Sequence, residues 1–137
     1  MKKKAIITVV SKQSESDDSA IEVVTPGEFY KEEGSYYAVY EETELSGMEG
    51  TTTTLKISDN SLLLSREGTT ITLMNFKKNN NDIILYNTPY GVLELKIETK
   101  DLNINLDDNG GEVSLNYNLA VSGQKPQNTI LKVNIKA

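Results

Sequence analysis

One guanidinium group is available to this sequence, that of Arg66, and no imidazole, thiol or indole accompanies it. Arginine grips a carboxylate or phosphate through a planar fork of donors, so a lone arginine against an apolar wall is a candidate anchor for an anionic ligand. The chemistry it can join is narrow. Without histidine the chain lacks the commonest general base, metal ligand and pH switch. Without cysteine it makes no disulfide, thiolate zinc site or thiol nucleophile. Paired carboxylates alone can hydrolyse glycosidic bonds, but no spacing singles out a pair among the 20 acidic residues. No phosphate-binding glycine loop, nucleophile elbow or zinc motif occurs. The sequence therefore reads as that of a non-enzyme with no cofactor and no metal. Asp107-Asp108-Asn109 offers oxygen atoms, but the spaced ligands and distal glutamate of a calcium loop are missing. It reads as a hairpin turn, with Asn109-Gly110 suited to type I′ geometry.

The elements that must position Arg66 are strands. Residues 93–97, 113–119 and 131–135 alternate apolar and polar side chains, and no window carries a sustained helical stripe. Turn-forming clusters at 58–61, 67–68, 78–82 and 107–111 punctuate the pattern. The expected strands run over 3–12, 20–32, 35–43, 51–58, 61–66, 69–77, 82–88, 90–106, 110–122 and 127–136. Short connections favour an up-and-down meander, and so many short strands remove their edges by closing. The expectation is all-β: one domain over 1–137, an up-and-down antiparallel β-barrel of about 8–10 strands.

Strand phase then sorts the polar residues. Arg66 shares a face with Leu62 and Leu64, although Leu63 on the opposite face softens the contrast. Thr51 and Thr53 share one with Leu55 and Ile57, and Tyr117 shares one with Val113, Leu115 and Leu119. The 35–42 strand is ambiguous. Tyr36, Ala38, Tyr40 and Glu42 are assigned inward, since that face carries two tyrosines and leaves one carboxylate to satisfy. The candidate ligand-binding set is Tyr40, Glu42, Thr53, Arg66, Tyr86 and Tyr117, with Glu42 as counter-charge to Arg66. A structural ion pair closing one end of the barrel explains the same residues.

Net charge is −6 with a pI near 4.7, which argues against nucleic acid as a partner. The basic start at 2–4 leads into an apolar run too short for a secretory core, and no segment approaches a membrane span. The expected location is the cytoplasm, with no membrane partner.

Residues 36–42 read Tyr-Tyr-Ala-Val-Tyr-Glu-Glu, followed by Thr-Thr-Leu-Lys-Ile at 53–57 and Arg66-x-Gly68. Tyr86-x-Thr88-Pro89-x-Gly91, Leu93-x-Leu95 and Gly111 with Tyr117 complete the series. Their order and spacing resemble the YwiB-like family of uncharacterised bacterial proteins. The resemblance implies a calycin-like, that is lipocalin-like, β-barrel and implies no activity. Two functions follow. A small-molecule binder needs an interior cavity of at least ~300 Å³ and would take a small apolar or carboxylate-bearing ligand. A protein-interaction or structural module needs a filled barrel and an exposed patch, for which Tyr36, Tyr37 and the Tyr90 region are candidates. Either is compatible with a monomer or a homodimer.

Overall fold

Alternation of apolar and polar residues builds ten strands in the computed structural model, which describes residues 2–13, 21–42, 50–68, 71–88, 91–121 and 123–137, without the side chains of 13 and 86–88. The strands are β1 (Lys3–Gln13), β2 (Ile21–Glu32), β3 (Ser35–Glu41), β4 (Thr52–Ile57) and β5 (Ser61–Glu67), then β6 (Thr72–Lys77), β7 (Asn81–Thr88), β8 (Gly91–Asp107), β9 (Gly110–Val121) and β10 (Gln127–Lys136). Each expected range overlaps one of them, with ends that differ by up to three residues. Among the described residues no helix is long and apolar enough to cross a membrane.

All ladders are antiparallel, in the order β6-β5-β4-β3-β2-β1-β10-β9-β8-β7. The sheet is therefore two meanders, β1–β6 and β7–β10, joined where β1 pairs β10 over Ile6 to Gln13. It rolls into a nearly closed barrel. The remaining seam lies between β6 and β7, which a tight turn connects but no ladder joins among the described residues.

Inward side chains fill most of the interior. Ile7, Phe29, Leu55, Ile57, Leu62, Phe76, Ile97, Val113, Leu115 and Val133 are buried in one cluster. Burying each such side chain contributes about 1.5–3 kcal/mol against the entropy of ordering it. Tyr36 covers the end at which β3 begins, its ring stacked on Phe29 at 5.3 Å between centroids. There its hydroxyl donates to Asp108 Oδ1 at 2.9 Å, and Lys3 Nζ donates to the Asp108 carbonyl at 2.8 Å.

Three local features depart from simple alternation. The β8–β9 register slips between Thr99 and Asp101, so the buried phase changes from Leu95, Ile97 and Thr99 to Leu102. Lys100 is the extra residue of a bulge, and the Lys77–Asn80 turn docks onto it through Asn79 N to Thr99 O (3.1 Å) and Thr99 N to Asn80 O (3.0 Å). The β8–β9 hairpin falls where expected, but not as a type I′ turn on Asn109-Gly110. Asp107 pairs with Gly110, so Asp108 and Asn109 form the turn, and neither has positive φ. Asp107 Oδ1 accepts the Asn109 amide at 2.8 Å, an Asx contact that favours negative φ, and Gly110 takes the left-handed step at φ 112°. Leu93 keeps the inward phase but is 36% exposed, because the β7–β8 hairpin reaches beyond the filled interior.

Candidate functional site

Register, more than phase, assembles the polar group. Tyr40 pairs with Thr53, Thr53 with Arg66, and Arg66 with Thr72, so these residues form one transverse row across β3, β4, β5 and β6. Gly27 of β2 sits next in the row, opposite Tyr40. A Cβ there would lie 2.5 Å from the Val39 carbonyl oxygen and 3.2 Å from Tyr40 Cβ, so glycine permits the close approach of β2 and β3. Glu42 is the next inward position after Tyr40, fixed where its amide donates to the Thr51 carbonyl at 2.8 Å.

Arg66 Nε lies 3.6 Å from Glu42 Oε2, with side-chain exposures of 22% and 5%. That separation is an ion pair without a hydrogen bond. Thr53 Oγ1 donates to the same carboxylate oxygen, and the Tyr40 hydroxyl also hydrogen-bonds to Glu42. Arg66 Nε is buried and has no hydrogen-bond acceptor among the described residues. A desolvated donor in that condition costs about 1–3 kcal/mol.

Tyr117 approaches from the other meander. It pairs with Thr129 of β10, to which it hydrogen-bonds, and its ring packs tilted on Phe76 at 4.8 Å. Burial pushes the Tyr40 phenol well above the ordinary tyrosine range; the Glu42 charge adds to the shift and Arg66 opposes it. Burial also raises Tyr117, again against the opposing charge of Arg66.

Between these walls is a cavity of about 180 Å³. Tyr40, Glu42, Arg66 and Tyr117 line it together with Val9, Val23, Leu64, Met74, Phe76 and Leu131. The structure thus brings four of the six expected residues to one cavity, with Thr53 behind them as a support for Glu42. The Tyr86 side chain lies outside the described residues. The expectation missed the apolar wall of Met74 and Phe76, whose alternation with Asn75 and Lys77 does signal an inward phase, and Thr129, which only register reveals. Of the aromatic residues considered for a surface patch, Tyr36 stacks on Phe29, Tyr37 stacks on Tyr30 at 5.0 Å, and Tyr90 lies outside the described residues. The arrangement can hold an anionic oxygen at its polar end and an apolar body against Met74 and Phe76.

Comparison with known proteins agrees with this architecture. The uncharacterized beta-barrel protein YwiB of Bacillus subtilis (strain 168) is 31% identical over 129 residues, covering 91% of this chain and 89% of that protein. The crystal structure of ywiB protein from Bacillus subtilis superposes with a TM-score of 0.87 at 23% identity, covering 99% of this chain and 92% of that one. The family described as a domain of unknown function (DUF1934) matches residues 6–133, and with nearly the whole barrel inside that match the chain belongs to this family.

Proposed function

We propose that this barrel binds a small molecule bearing a carboxylate or similar anionic oxygen on a compact apolar body, held at Arg66 in the manner of a lipocalin-like binder. The supporting observation is the buried Arg66 Nε, which among the described residues has no hydrogen-bond acceptor, beside an apolar-walled cavity. An incoming oxygen would satisfy that donor, and the guanidinium fork suits a planar carboxylate. Drug-sized ligands occupy about 300–1,000 Å³. The cavity of about 180 Å³ falls short of the ~300 Å³ expected of a binder, so only a ligand smaller than drug size fits. On this reading the chain is a binder without catalytic activity. Its placement in the cytoplasm is a further proposal, resting on sequence composition.

A structural reading competes, and Glu42 favours it: the arginine already has a counter-charge, so the pair alone closes the barrel end. Titration with hexanoate and benzoate, against hexanol and benzyl alcohol as neutral controls, separates the two. Binding predicts chemical-shift changes at Tyr40, Tyr117 and Met74 and a rise in melting temperature with the acids only. Both are lost in an Arg66→Met, Glu42→Leu double variant that still folds. If neither acid changes the spectrum at millimolar concentration, the pair is structural.

A further inference from the structure

β7 ends the sheet on one side, and among the described residues no strand ladders onto its outer edge. An edge strand left unpaired is normally short, or carries lysine, proline or a bulge that discourages pairing. β6, the other edge, follows that rule: it is six residues long and ends on Lys77. β7 does not. Over its eight residues the only charge is Asp82, and its register on β8 is unbroken. Its outer face presents Ile83 and Leu85, 59% and 69% exposed.

The residue order along β7 indicates what covers this edge. Taken at every second position, Asn81, Ile83, Leu85 and Asn87 read as polar, aliphatic, aliphatic, polar in either direction. A second β7 laid antiparallel beside the first must share a twofold axis through a residue, because an axis between residues would set inner side chains against outer ones. An axis through Ile84 places each Ile83 opposite Leu85 of the second copy and each Asn81 opposite Asn87. An axis through Ile83 would set Asn81 against Leu85. One through Leu85 would set Ile83 against Asn87, and one through Asp82 would oppose two carboxylates. The Ile84 axis alone pairs both exposed aliphatic residues.

We propose that two copies of this chain associate by antiparallel pairing of their β7 edges about a twofold axis at Ile84, joining two barrels through one continuous sheet. Sedimentation of the full chain tests this, with far-UV spectra as a control for folding. The parent should show twice its 15.2 kDa mass at tens of micromolar. Leu85→Lys should weaken the dimer by about tenfold or more, because the axis applies each change twice. Ile83→Lys with Leu85→Glu in the same chain sets opposite charges across the interface and should restore the dimer. A parent that remains monomeric at ~100 µM, well above the dissociation constants of specific interfaces, overturns the proposal. So does a dimer that Leu85→Lys leaves intact. A rescue variant no tighter than Leu85→Lys refutes the register. A monomer whose β7 amide signals move only when an unrelated extended peptide is added overturns the second copy in favour of a partner strand.

Discussion

At the scale of single residues, the ion pair of Arg66 and Glu42 sets how the barrel tolerates change. Removing Arg66 leaves the Glu42 carboxylate buried with, among the described residues, Thr53 and Tyr40 to hold it. Arg66→Ala should cost about 2–4 kcal/mol, toward the low side of buried pairs because solvent reaches part of the guanidinium. A urea titration checks it, and a change within ~0.5 kcal/mol would mark Arg66 as an ordinary surface position. Arg66→Met with Glu42→Leu should recover only part of the loss, since the Thr53 and Tyr40 hydroxyls then lose their acceptor. Alkaline pH tests the same neighbourhood. Tyr40 and Tyr117 are raised in the folded state, so the native protein holds protons that the unfolded chain releases near pH 10. Their contribution is complete below about pH 10 and falls as pH rises through and beyond it. Tyr40→Phe should flatten that decline in denaturant midpoint, and absorbance at 295 nm should show these phenols ionising late among the seven tyrosines.

At the scale of strands, what the residues reveal is a face, and what they conceal is a neighbour. Alternation turns Arg66, Leu62 and Leu64 inward; on β3, where it is ambiguous, the two tyrosines and the single carboxylate select the Tyr36–Glu42 side. Alternation says nothing of the register that lines up Gly27, Tyr40, Thr53, Arg66 and Thr72, because a ladder between distant strands leaves no periodic trace. Thr129 escaped notice for that reason. The β8 bulge was legible in principle: the aliphatic positions move from odd numbers, Leu95 and Ile97, to even ones, Leu102, Ile104 and Leu106. The 90–106 range read as one uninterrupted strand passes over that change of parity. Deleting Lys100 removes the extra residue and leaves Thr99, Asp101 and Leu102 in unbroken alternation opposite Tyr117, Asn116 and Leu115, so Leu102, Ile104 and Leu106 should keep their inward phase and the chain should still fold. A parent-like far-UV β-signal in the deletion variant checks this, and its collapse would show that the fold depends on the bulge. Gly27→Ala should cost about 1–3 kcal/mol by overpacking against the Val39 carbonyl and Ile7. A parent-like denaturant midpoint would show that β2 can shift aside.

At the scale of the molecule, stability should be graded from the middle of the sheet to its margins. β1, β9 and β10 are laddered on both sides, while β7 has β8 alone. Native-state hydrogen exchange should find β7 amides opening first and the β1–β10 rungs opening near the global limit. If two copies pair, protection of β7 alone should rise with protein concentration. The β1–β10 rungs carry another consequence, which concerns the order of events during synthesis. The strands at the two extremes of the sequence are neighbours in the centre of the sheet, with Ile7 opposite Ile135. Every other ladder joins consecutive strands and can form as the chain emerges. The β1–β6 meander therefore waits on the ribosome with β1 uncovered, its Ile7 and Val9 without the strand that flanks them in the finished barrel. β10 can dock only after β2 to β9 have all emerged, so sealing of the barrel is the last pairing event in chain order.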